Sequence, residues 1–122
     1  FGPGNITGKI FMRTRGGDVK YGAGSQVILN TDKINNDISS QIDDLDRQQL
    51  PLPIEMLIRS FRYTTADAEG RFHFENVPPG KYYITSYVYW ETGLTTTTKQ
   101  GGIETRQINI EKGKTVEMML TR

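Results

Sequence analysis

His73 is the only histidine of the chain, and there is no cysteine. Without thiols there is no Cys nucleophile, no disulfide and no thiolate zinc site. A single imidazole also lacks the partners that a metal centre needs. His73 stands between Phe72 and Phe74. Strand alternation therefore turns it away from the face those rings share, whereas general acid–base catalysis would want it in a cleft. Carboxylates gather twice. Asp67 and Glu69 in "DAEG" are too few and too close for a calcium loop, whose ligands spread over about twelve residues. Asp43, Asp44 and Asp46 sit at helical spacing, so they diverge and read as a solvated helix face. We expect no catalytic residue, no metal ligand and no cofactor, and the chain reads as a non-enzyme.

Binding chemistry has one better candidate. In "KYYITSYVYWE" (81–91), Tyr82, Ile84, Ser86, Val88 and Trp90 alternate with Tyr83, Thr85, Tyr87 and Tyr89. With the first set in the core, Tyr83, Tyr87 and Tyr89 form an outer row, with adjacent positions on that face roughly 7 Å apart. Exposed aromatic rings stack on sugars or anchor a protein partner. The competing expectation is that the row packs beneath a helical insert. Phe11 is placed on the same outer patch. Lys9 and Asn109 are one Lys–Asn pair that an isopeptide bond could use. Their apolar neighbours Ile10, Ile108 and Ile110 turn both toward solvent, so no bond is expected.

The positioning elements are mostly strands. "NITGKIFMRT" (5–14) puts Ile6, Gly8, Ile10 and Met12 on one face and Thr7, Lys9, Phe11 and Arg13 on the other. A glycine-rich connection (15–25) leads to a short strand, "QVILN" (26–30), with Val27 and Leu29 on one face. Then the period changes. Ile34, Ile38, Ile42 and Leu45 recur at helical spacing over 34–49. Ile54, Leu57, Ile58 and Phe61 do so over 53–61, behind a first-turn Pro53. Strands return at 62–65, 71–74, 81–91, 103–110 and 115–121, with "GLTTTTKQGG" (93–102) as a loop or an extra hairpin arm. Asp67 and Gly70 fit a type I turn, and "VPPG" (77–80) a second. We read 64–84 as a β-hairpin and 103–121 as another.

With 122 residues the chain is one domain, 1–122, at 35% hydrophobic and 24% charged residues. The net charge is +1, and the Lys and Arg residues are scattered. That offers no footprint for nucleic acid or an anionic membrane. No apolar run is long enough for a transmembrane helix. The chain opens at Phe1, so any signal peptide or lipid-attachment cysteine would lie upstream of it.

Thr65, Asp67, Gly70, Phe72, Phe74, Val77, Pro78, Pro79, Gly80, Tyr82 and Ile84 make a pattern T-x-D-x-x-G, F-x-F, V-P-P-G, Y-x-I. It resembles the carboxypeptidase regulatory-like domains. "ITGKI", "AGSQVIL" and "IEKGKTVEMMLT" agree with the same family's first, second and last strands. The resemblance covers nearly all of the chain except 31–61. It implies an all-β, transthyretin-like (prealbumin-like) seven-stranded β-sandwich, with a short helical insertion (about 34–61) between strands two and three. It also implies a non-catalytic accessory, structural or protein-binding module of a bacterial envelope or secreted protein. The setting would be periplasmic, outer-membrane-associated or cell-surface, with membrane contact only through an upstream lipid anchor. The partner would be a protein or glycan of the envelope. The alternative is a carbohydrate-binding sandwich that uses Tyr83, Tyr87 and Tyr89. Hydroxyisourate hydrolases share that fold, but they depend on several histidines and a Tyr-Arg-Gly-Ser tail, and this chain ends "MMLTR".

Overall fold

Residue type and alternation dictate two layers. The computed structural model describes residues 2–91 and 99–121. In chain order they form β1 (Gly4–Arg13), β2 (Val19–Tyr21), β3 (Gln26–Asn30), α1 (Asp32–Gln48), α2 (Ile54–Arg59), β4 (Arg62–Thr65), β5 (Arg71–Val77), β6 (Gly80–Glu91), β7 (Lys99–Ile110) and β8 (Thr115–Leu120). One sheet is built around β1, which pairs antiparallel with β2 and β5 and parallel with β8. The other runs β4-β3-β6-β7, antiparallel throughout. Between them lie Ile6, Ile10, Val27, Leu29, Phe72, Phe74, Ile84, Val88 and Ile108, all buried. These are the inward positions that period-two alternation assigns.

Seven strands are expected, and the described residues form eight. Val19–Tyr21, read as part of a glycine-rich connection, pairs with the end of β1 in the register Phe11↔Tyr21. Lys9 Nζ sits 4.6 Å over the Tyr21 ring. The strands β2 and β5 meet end to end at Ile10, whose N–H donates to the Gly70 carbonyl (2.8 Å) and whose carbonyl accepts from Gly22 N–H (3.0 Å).

The hairpins expected at 64–84 and 103–121 are not hairpins. β5 pairs with β1 and β6 with β3 and β7, so Pro78-Pro79 carries the chain from one sheet to the other. The turn at 67–70 likewise joins β4 of one sheet to β5 of the other, and 111–114 joins β7 to β8. The cause is physical. Prolines bring no N–H to a hairpin ladder. Phe72, Phe74 and Val77 also share one core with Tyr82 and Ile84 only if the two strands face each other across it. Tyr82 Oη fastens this corner by donating to the Pro78 carbonyl (2.7 Å).

The turn before β5 behaves as its residues require. Asp67 Oδ1 accepts from the N–H groups of Glu69 and Arg71, both at 2.9 Å. Gly70 has φ +76°, and an ideal Cβ there would stand 2.3 Å from the Ile10 carbonyl oxygen. The backbone donation from Arg71 foremost, with Glu69 beside it, holds the Asp67 carboxyl below its ordinary 3.8. The Tyr83 hydroxyl and then Lys81, 3.2 Å away, do the same for Asp32. A carboxyl depressed in the fold stabilises it once ionised, and that gain disappears as pH falls through the folded value. Thermal melting is therefore expected to lose midpoint below about pH 4, with a shallower acid slope in Asp67→Ala. An unchanged slope in that variant would remove Asp67 from the account.

The helices form a third layer. Ile38 of α1 with Leu52, Met56 and Leu57 packs on Ile28 and Ile103, which point out of the second sheet. Ile42 and Leu45 are half-buried beside them, as the helical spacing predicts. The second helix differs. It is six residues long, buries Met56 and Leu57, and leaves Ile54 and Ile58 68% and 70% exposed. Phe61 has left the helix. Its N–H donates to the Leu29 carbonyl (3.0 Å), and its ring lies 5.6 Å from that of Tyr82. Asp46 is corrected as well. Asp43 and Asp44 are exposed, but Asp46 Oδ1 accepts from the Ile103 N–H (2.7 Å), covering part of the open edge of β7.

Candidate ligand-binding cleft

The tyrosine row lies beneath the helices. Tyr87 and Tyr89 stack at 5.6 Å and 27° and are half-buried against the insert's apolar cluster. Tyr89 Oη donates to the Leu50 carbonyl (2.9 Å), Tyr87 Oη bonds Gln26 Oε1, and Tyr83 bonds Asp32 at the start of α1. Burial pushes the Tyr87 phenol up. The structure thus brings Tyr83, Tyr87 and Tyr89 together, but as the seat of residues 31–61. Phe11, expected beside them, belongs to the other sheet. Lys9 and Asn109 are also separated, opposite Arg71 in one sheet and Lys81 in the other. His73 is exposed, with Nε2 3.5 Å from Glu75 Oε1. Among the described residues no three His, Asp or Glu side chains gather as metal ligands, and no helix is long and apolar enough to cross a membrane.

A different aromatic residue lines a cleft. At one end of the sandwich a space of about 630 Å³ is bounded by Met12, Arg13, Thr14, Arg15, Gly16, Trp90, Gln100 and Gly101. The residues come from the end of β1, its turn into β2, the end of β6 and the start of β7. Trp90 follows Tyr82, Ile84, Ser86 and Val88 in the inward register. Those four are buried, whereas Trp90 at the strand's end is only half-buried against the core. The segment 93–98 of the expected loop or hairpin arm lies outside the described residues, while 99–102 belongs to β7.

Two local features shape the cleft. Gly101 has φ +100°, and an ideal Cβ would stand 1.9 Å from the Val88 carbonyl oxygen and 2.9 Å from Trp90 Cζ3. Only glycine lets β7 pass this close to the indole. On the other wall the β1–β2 turn is pinned three ways. Thr14 N–H donates to the Asp18 carbonyl (2.8 Å), Gly17 N–H to the Thr14 carbonyl (3.0 Å), and Asp18 N–H to Thr14 Oγ1 (3.1 Å). The rim backbone of Arg13 and Arg15 is therefore fixed. Trp90, Arg13, Arg15 and Gln100 line one concavity, and residues of these types can hold a polar ring through its apolar face and its hydroxyls. Among the described residues no carboxylate or imidazole lines the cleft. Sequence reading missed this site because it assigned Trp90 to the core. The available signal was its place as the last inward residue of the longest strand.

No protein-family model matches the chain. No curated protein matches it. Solved structures do, among them these two. A crystal structure from Pseudomonas aeruginosa, described as a "putative carbohydrate binding protein", aligns with a TM-score of 0.74 at 26% identity, over 99% of this chain and 89% of that one. The minor pilin GBS52 of Streptococcus agalactiae aligns with a TM-score of 0.50 at 16% identity, over all of this chain and 45% of the pilin. The second likeness is one of fold. The chain spans less than half of that pilin's length.

Proposed function

We propose that this chain is a non-catalytic carbohydrate-binding β-sandwich module of a bacterial envelope or secreted protein, with the Trp90 cleft as its ligand site. The observation that carries the reading is the half-buried indole of Trp90 in an open cleft with Arg13, Arg15 and Gln100. The full-length likeness to the Pseudomonas protein supports it. The tyrosine row keeps its place in the proposal as the seat of the insert, not as the sugar platform. We further assign the sandwich to the transthyretin-like type of the carboxypeptidase regulatory-like domains, on the motif 65–84, and place it in the periplasm, on the outer membrane or on the cell surface. A protein-binding or structural role is the second reading. The exposed Ile54 and Ile58 on α2 favour it.

A glycan array followed by calorimetry tests the first reading. Trp90→Ala is expected to weaken glycan binding at least about tenfold, the loss of one well-placed aromatic contact. Trp90→Phe should recover part of it. Binding that is unaltered in Trp90→Ala would dismiss the cleft. A chain that binds no glycan at all would turn the reading to the α2 surface.

A further inference from the structure

The charge of the cleft narrows its ligand. Of the described residues that line it, the two ionisable ones are Arg13 and Arg15. Both are exposed, and among the described residues neither has an ion-pair partner. The chain as a whole carries only +1, so this pair is a local excess rather than part of a general basic field. We propose that the cleft selects an acidic sugar, a uronic-acid residue of a glycan. Its pyranose face lies on Trp90 and its carboxylate meets the guanidinium groups of Arg13 and Arg15. The inference rests on the glycan reading above.

The chemistry of the side chains supports a carboxylate in particular. A guanidinium is planar, permanently charged and forked, and it matches the two oxygens of a carboxylate bidentately. The turn that carries Arg15 is already pinned by the Thr14–Asp18 hydrogen bonds. Binding then orders little beyond two side chains, which keeps the entropic cost low. The Gln100 amide and the Trp90 ring stay available for the uncharged part of the ring. A neutral sugar would use those groups and leave the two cations without a partner.

Trp90 is the only tryptophan, so emission excited selectively from tryptophan rather than tyrosine reports on this cleft. The experiment titrates the wild-type chain with galacturonate, glucuronate and mannuronate tetrasaccharides and with their methyl esters. Each ester keeps the ring and removes the charge. At least one acid is expected to bind about tenfold or more tightly than its ester at about 50 mM salt, with the gap shrinking at about 500 mM. Arg13→Gln with Arg15→Gln should bring the acid down to the ester's affinity and leave the melting temperature in place. Esters binding as tightly as acids would overturn the acidic-sugar inference and leave the glycan reading standing. The same follows if the double Gln variant keeps the full preference for the acid. If no acid, ester or neutral glycan on the array binds, both fall together.

Discussion

Gly101→Ala is expected to lower the stability of the fold by about 2–4 kcal/mol, the sum of a strained backbone and an overpacked contact. The position has φ +100°, and the new methyl would fall 1.9 Å from the Val88 carbonyl oxygen. A flexible neighbour would yield, but this one is the backbone of β6, held in register with β7 from Gly80↔Ile110 to Glu91↔Lys99. Relief therefore requires the start of β7 to move away from β6. The first side chain disturbed is Trp90, whose Cζ3 is within 2.9 Å of the same point. Urea unfolding should show the loss, and the emission of the lone tryptophan should shift in the native baseline before any unfolding. Glycan affinity should fall with it, although Gly101 offers no side chain to a ligand. An alanine variant within about 0.5 kcal/mol of wild type and with unaltered emission would contradict the close approach of β7 to Val88.

The triple variant Tyr83→Ser, Tyr87→Ser, Tyr89→Ser separates the two aromatic surfaces. An aromatic side chain buries about 150–250 Å² when enclosed, and half of that at about 25 cal/mol per Å² is roughly 2 kcal/mol per ring. Tyr87 and Tyr89 stack on each other, so the terms do not add simply. We expect a loss of at least about 3 kcal/mol, a large share of the 5–15 kcal/mol typical of a domain. The hydroxyl contacts to Leu50, Gln26 and Asp32 go with the rings. The insert should detach first, seen as increased amide exchange over α1 and α2 while the sandwich core stays protected. Glycan binding through Trp90 should survive in the folded fraction. The opposite pattern, full stability with glycan binding abolished, would return the ligand surface to the tyrosine row and remove it from Trp90.

The reading of the sequence singled out the strand that carries both aromatic surfaces, and of its two expectations for the tyrosine row the structure shows the row packed against the insert. Strand 81–91 was singled out for its tyrosines, and its alternation was read correctly: Tyr82, Ile84, Ser86 and Val88 are buried. Alternation alone gives a side, not a depth. It says that Trp90 points the same way as Val88, but not that the indole is only half-buried there and lines a cleft with Met12 and the β1–β2 turn. Asp46 shows the same limit in a helix. Its spacing grouped it with Asp43 and Asp44, and only the position of β7 turned it into an acceptor for Ile103.

By itself the sequence determined the local chemistry of this protein. Period-two runs specified strands at β1, β3, β6 and β8. Helical spacing specified α1 through Ile34, Ile38, Ile42 and Leu45. Asp67 and Gly70 specified a turn through hydrogen bonds two and four residues away and a positive φ. All of these are interactions within a few residues. Tertiary structure decided the partners. β5 and β6 are separated by two prolines, yet they belong to different sheets, and β8 returns to lie parallel to β1 about 110 residues away in sequence. Tyr83, Tyr87 and Tyr89 became a seat and Trp90 a cleft wall because burial depends on what arrives from elsewhere in the chain. That is a property of long-range packing, which no short-range period encodes.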